Sequence, residues 1–225
     1  MILAIETSTP VCSVALQATR RTVWEKRIEG RGVHSERLFT FTDELLRRAG
    51  SNVEGLEAVL FSRGPGSYTG LRIGSSAVKG LLFRQSVPLY TFPTLYSFAA
   101  GLDSGIESRE IWGVIDARRT HLYCQKFRWD GIKLTPESDA LIKEISEIEA
   151  DINDGAVIVG TGLERLTFEN KRSITKIGTE GISAKNLVRA FNSDHLRQQF
   201  RKEAPESFTP EYIEMGQVNN SKIRD

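Results

Sequence analysis

Residues 62–80 read Ser-Arg-Gly-Pro-Gly-Ser-Tyr-Thr-Gly-Leu-Arg-Ile-Gly-Ser-Ser-Ala-Val-Lys-Gly, and few chains can accommodate such a run. An apolar segment, 58–61, leads into three glycines and a proline, and apolar residues at helical spacing follow. This is the signature of a strand, a tight loop and a helix start. Gly64 and Gly66 permit positive φ or close backbone approach, Pro65 fixes its own φ, and Ser67 or Thr69 can cap the first helical amides. The spacing matches neither G-x-x-x-x-G-K-[ST] nor G-x-G-x-x-G, so neither a P-loop nor a dinucleotide fingerprint is present. Gly66 is expected at positive φ, so alanine there should cost about 1 kcal/mol, whereas Gly70 inside the helix should tolerate it.

With 225 residues, 40% of them apolar and 26% charged, the chain can bury a real core. A net charge of +1 argues against a strong global attraction to nucleic acid. The basic pairs Arg118-Arg119 and Lys171-Arg172 and the cluster at 197–202 are balanced by nearby acids and read as solvated surface. The two cysteines, Cys12 and Cys124, read as reduced thiols, which fits the cytoplasm. The N-terminus lacks a basic leader and no apolar run approaches a membrane span, so no membrane association is expected.

Strands are expected at 2–5, 12–18 and 22–28, a helix at 34–49, then strand 58–61, helix 70–83, strand 87–92 and helix 94–101. The order βββαβαβα recurs at 111–117, 121–129, 132–134, helix 142–150, strand 156–159, a helical stretch after Gly162, strand 173–177 and helix 184–200. The boundary is expected in the Gly/Ser/Asp/Glu-rich stretch 102–109. This gives units at 1–103 and 104–203 and a tail at 204–225 whose last residues are expected to be mobile.

Helix 34–49 carries one apolar stripe through Leu38, Phe41 and Leu45 and a second through Phe39 and Leu46. Helix 70–83 repeats the excess: Leu71, Val78 and Leu82 form one line, and Ile73, Ala77 and Leu81 another. That is more apolar width than a half-exposed helix needs. Phe39, Leu46, Ile73, Ala77 and Leu81 are therefore expected to face a partner.

Gly-Pro-Gly-Ser-Tyr-Thr-Gly-Leu-Arg-Ile-Gly, followed by Lys79-Gly80, resembles the signature of the TsaB (YeaZ) family of bacterial tRNA threonylcarbamoyladenosine biosynthesis proteins. Further blocks agree in order along nearly the whole chain: Ile2-Leu3-Ala4-Ile5-Glu6-Thr7-Ser8-Thr9, His34-Ser35-Glu36, Ile115-Asp116-Ala117-Arg118-Arg119, Val159-Gly160-Thr161-Gly162 and Pro210-Glu211-Tyr212. The resemblance implies an α/β fold of two tandem ribonuclease-H-like halves, as in the actin, Hsp70 and sugar-kinase (ASKHA) superfamily.

In that superfamily a nucleotide lies between the halves. The matching positions here are Glu6, Thr7 and Ser8 in the first hairpin, Asp116 in the second, and Gly160 and Gly162 in a glycine turn. The resemblance names no firm cofactor. ATP or ADP with Mg²⁺, at the cleft or at a shared interface, is the ligand it would allow, although the first hairpin lacks the usual glycine. The catalytic relative, TsaD, holds a metal through a His pair four residues apart on a helix. Here Leu38 stands four residues after His34, the other histidines are His121 and His195, and no metal pair exists.

The resemblance thus implies a noncatalytic partner subunit, required by a TsaD-type catalytic subunit to form threonylcarbamoyladenosine beside the anticodon of tRNAs reading codons that begin with A. It implies a homodimer in isolation, a TsaE-type ATPase as a further partner and tRNA contact only through the complex. Two alternatives stand beside it: an ATP-dependent enzyme of the actin and sugar-kinase class, and a glycoprotease-type peptidase.

Overall fold

The computed structural model describes residues 1–102, 109–168 and 173–213. The expected boundary after residue 103, the Lys171-Arg172 pair and the last residues of the tail lie outside them.

The first half opens with β1 (Ile2–Glu6), β2 (Val11–Thr19) and β3 (Thr22–Glu29), followed by α1 (Val33–Arg48), β4 (Ala58–Ser62), α2 (Tyr68–Leu81), β5 (Leu89–Phe92) and α3 (Thr94–Ala100). Short links make β1, β2 and β3 antiparallel neighbours, whereas the helical crossovers place β4 and β5 parallel to β1 on its other side. β1 is buried at every residue after Ile2 because it sits inside the sheet with helices on both faces. Its apolar residues therefore run continuously rather than alternating.

The second half repeats the pattern with β6 (Glu110–Asp116), β7 (His121–Trp129), β8 (Leu134–Pro136), β9 (Leu141–Glu144), α4 (Ile145–Asp151), β10 (Val157–Gly160) and β11 (Thr175–Ile177). β6 pairs antiparallel with β7 and parallel with β10, as β1 does with β2 and β4. These are two ribonuclease-H-like sheets in tandem, as the resemblance implied. The helical stretch expected after Gly162 is only a single 3₁₀ turn, Leu163–Arg165. The expected helix at 142–150 begins as β9, which pairs with β7 from His121↔Glu144 to Cys124↔Leu141.

The expected helix at 184–200 is broken. α5 (Lys185–Asn192) ends at Ser193, whose hydroxyl accepts the Leu196 amide at the start of the short α6 (Asp194–Arg197). After α6 the chain leaves the second sheet. β12 (Arg201–Glu203) pairs antiparallel with β5 and becomes the edge strand of the first sheet, in the order β12-β5-β4-β1-β2-β3. Residues 201–203, which the sequence assigns to the second half, thus extend the first sheet.

A single apolar core joins the halves. Phe92, Leu95 and Phe98 from the first meet Ile111, Phe127, Leu187 and Phe191 from the second. A second core lies between the first sheet and α1 and α2, and a third lies under α4. Side chains also clasp β3 to the second half. Arg27 donates from Nε to the Ile182 carbonyl (3.0 Å), and Glu25 accepts the Ser183 hydroxyl (2.5 Å). Among the described residues no helix is long and apolar enough to cross a membrane.

Candidate functional site

The glycine-rich stretch lies directly on the first hairpin. Glu6 ends β1, and its carboxylate accepts the Ser8 amide (2.7 Å), the Ser8 hydroxyl and the Ser62 hydroxyl. Burial pushes this carboxyl above its ordinary range, against the pull of those hydrogen bonds. Glu6, Thr7 and Ser8 are wholly buried and Thr9 nearly so, because the Ser67 amide donates to the Ser8 carbonyl at 2.6 Å and holds the 64–67 loop over them.

The glycines make that contact possible. A Cβ on Gly66 would stand 2.4 Å from the Ser8 carbonyl oxygen, one on Gly70 2.1 Å from that of Thr7, and one on Gly74 2.2 Å from Thr7 Oγ1. Two expectations are corrected here. Gly64, not Gly66, carries the positive φ (+121°), and Gly70 has no room for alanine despite its helical position. Ser67, as expected, caps α2 through its bond from the Gly70 amide (3.2 Å). The chain's own loop covers Glu6, Thr7 and Ser8, the residues that the resemblance places in a nucleotide site.

Asp116, Gly160 and Gly162 do come together. The Asp116 amide donates to Thr161 Oγ1 (3.0 Å), and its carboxylate accepts the Arg118 amide (2.8 Å) and pairs with Arg165. A Cβ on Gly162 would lie 3.3 Å from that of Asp116, and one on Gly160 would collide with the Val114 carbonyl at 1.8 Å. These glycines, at φ +139° and +81°, let the end of β10 pass close over β6. Among the described residues no hydrogen bond or ion pair joins this group to Glu6, Thr7 or Ser8. Arg165, the partner of Asp116, escaped the sequence reading because nothing local links residues 49 positions apart. Arg118 and Arg119 both take positive φ, 70° and 50°.

His34 is buried near the start of α1. Burial lowers its pKa, against backbone hydrogen bonds at Thr9 and Val11, and its Nε2 has no partner. Leu38, one turn on, is in the core. Among the described residues no group of three His, Cys, Asp or Glu side chains is placed to hold a metal.

The expected partner stripe divides. Phe39 is 56% exposed and Ile73 is half-buried. Leu46 and Ala77 belong to the core under α1 and α2, and Leu81 packs against it. α1 and α2 touch each other, and the buried members of both second stripes lie in or against the core that the two helices cover. Sequence reasoning missed Tyr68, 55% exposed. It stacks on Tyr212 at 5.0 Å and lies under Arg72 at 4.5 Å.

The family model described as TsaD, tRNA N6-adenosine threonylcarbamoyltransferase, matches residues 31–158, more than half of the chain. The tRNA threonylcarbamoyladenosine biosynthesis protein TsaB of Escherichia coli (strain K12) is 31% identical over 165 residues, covering 72% of this chain and 71% of that protein. The chain belongs to the TsaB family. TsaB of Haemophilus influenzae is 28% identical over 183 residues, 77% of each chain. TsaB of Bacillus subtilis is 24% identical over 229 residues, 96% of this chain and 95% of its own. Among solved structures, YeaZ from Pseudomonas aeruginosa shares the fold at TM-score 0.80 and 24% identity, over 94% of this chain and 99% of that one.

Proposed function

We propose that this chain is a noncatalytic subunit that binds a TsaD-type catalytic chain and enables it to place threonylcarbamoyl on the adenosine beside the anticodon of tRNAs reading codons that begin with A. The observation that carries this reading is membership of the TsaB family over most of the chain. Two features support the absence of chemistry in this subunit: its first-hairpin loop is buried under its own glycine-rich segment, and His34 lacks a second histidine one turn on.

Docking is assigned to the outer faces of α1 and α2, through Phe39 and Ile73, while Leu46, Ala77 and Leu81 hold the two helices in register. In isolation the same face pairs two copies, and the catalytic chain replaces one of them. A TsaE-type ATPase completes the assembly, and tRNA is reached through the complex. Two buried free thiols, both pushed up to about 12 by burial, support a reducing, cytoplasmic setting. In this reading residues 1–103 are the docking half and 104–203 the supporting half, with β12 and the segment after it returning to the first.

Size-exclusion chromatography with light scattering tests the assembly. The chain alone should run as a dimer, and adding a TsaD-type subunit should give a heteromeric complex at the dimer's expense. Separate elution of the two proteins at micromolar concentration would contradict the reading.

A further inference from the structure

Ile111 and Asp116 stand at opposite ends of β6, about 17 Å apart at the usual rise of a strand. Around Ile111 lies a cavity of about 310 Å³ whose lining includes none of Glu6, Thr7, Ser8, Asp116, Gly160 and Gly162. It is built where the halves meet. α3 contributes Ala99 and Ala100, whose small side chains leave the space open, and β7 and β8 contribute Trp129 and Leu134. The chain from α5 to α6 closes the far side.

The polar groups are gathered on that far side. His195 Nε2 lies 3.1 Å from the Leu134 carbonyl, which also accepts the Tyr96 hydroxyl at 2.5 Å. A carbonyl only accepts, so His195 donates to it from Nε2. The Ser193 oxygen accepts the Leu196 amide, which leaves its own proton to donate. Ser193, His195 and Arg189, whose Nη1 donates to the Gly101 carbonyl (2.7 Å) and the Leu102 carbonyl (3.1 Å), thus stand against walls that are otherwise aliphatic or indole. Ile132 also lines the cavity and is 84% exposed, an aliphatic side chain left in water where an apolar occupant would cover it.

We propose that this cavity is a binding site for a small aromatic molecule with one hydrogen-bonding group at its end. The ring lies against Trp129, Leu134 and the two alanines, and the polar end meets Ser193 and His195. Concave, mostly apolar pockets with a few convergent polar groups, placed at a domain junction, are where proteins hold such ligands.

1-Anilinonaphthalene-8-sulfonate, an aromatic body with one anionic group, is a suitable probe, followed by the indole N–H resonances of the three tryptophans. The Trp129 resonance, assigned with Trp129→Phe, should shift saturably while those of Trp24 and Trp112 stay in place. Ile132→Asp alters only an exposed side chain and should weaken binding at least tenfold. Phe39→Asp, on the opposite side of the first sheet, should leave it unchanged. An unmoved Trp129 resonance at high probe concentration overturns the proposal. So does binding that survives Ile132→Asp but is lost with Phe39→Asp, because the probe would then sit on the α1–α2 face.

Discussion

Gly66 meets Ser8 so closely that a single methyl group on the glycine would lie 2.4 Å from the Ser8 carbonyl oxygen. The opposing atom is backbone, fixed by the bond it accepts from the Ser67 amide, so it cannot move aside cheaply. The glycine-rich signature of this chain is therefore a packing device, which seats one loop on another.

This contact predicts opposite signs for three substitutions within 15 residues. Gly66→Ala and Gly70→Ala should each destabilise by about 1–3 kcal/mol through overpacking, and for Gly70 that outweighs the roughly 1 kcal/mol alanine gains in a helix. Gly80→Ala meets nothing within 4 Å near the end of the same helix and should stabilise by about 0.5–1 kcal/mol. Urea melts of the three variants check the order.

Glu211 should matter more than an exposed carboxylate usually does. It lies 3.1 Å from Nε of Arg63, whose side chain is only 6% exposed. The carboxylate stands off the N–H direction, so the attraction is ionic rather than a well-aligned hydrogen bond. Glu211→Ala leaves a buried guanidinium with less compensation and should cost about 1–3 kcal/mol, less than for a fully buried pair. Combined with Arg63→Met, most of that loss should disappear. Strict additivity in the double-mutant cycle would show that the pair is not coupled.

Glu110 gives a pH signature. Burial works to raise its pKa, but the Asn153 amide (3.0 Å), Lys126 (2.8 Å), the Trp112 indole (2.8 Å) and the Asn153 side chain (2.6 Å) hold it down to about 2. A carboxyl depressed in the folded state contributes stability that is present above its unfolded value, about 4.5, and lost as pH falls toward 2. Glu110→Gln should therefore be less stable than the parent at pH 7, with the gap closing between pH 4.5 and 2. A gap that is constant across that range would show that the charge contributes nothing.

Phe39 and Leu46 had the same standing in the sequence, yet they should respond differently to a charge. Leu46→Asp places a carboxylate in the core at 7% exposure and should cost more than about 3 kcal/mol. Phe39→Asp should change stability by less than about 1 kcal/mol. Thermal melts of the two variants separate core from surface.

The periodicities that produce the two sheets were legible because the strands of each half are short, apolar and separated by turn residues. What was not legible had local reasons. Ile142, Ile145, Ile148 and Ile152 recur at helical spacing, which hid the strand at Leu141–Glu144. Arg201-Lys202-Glu203 has no apolar residue, so its strand is visible only as an edge added to β5. The break at Ser193 depends on a cap rather than on hydrophobic pattern. At the site, the glycines announced a close approach but not its object, and solvent was the default where Ser8 and Thr7 are the answer. The apolar excess of α1 and α2 was real, but which residues the helices spend on each other is a matter of packing that one helix alone does not reveal.

As a TsaB-family subunit, this chain is proposed to enable chemistry carried out by another subunit. The most direct measurement is threonylcarbamoyl transfer from threonylcarbamoyl-AMP to tRNA, with the product nucleoside quantified after digestion. This chain alone should give none, the mixture with a TsaD-type subunit should give product, and the Phe39→Asp, Ile73→Asp double variant, folded by circular dichroism, should return the mixture to the level of the catalytic subunit alone. Modified adenosine formed by this chain without the second subunit would contradict the account.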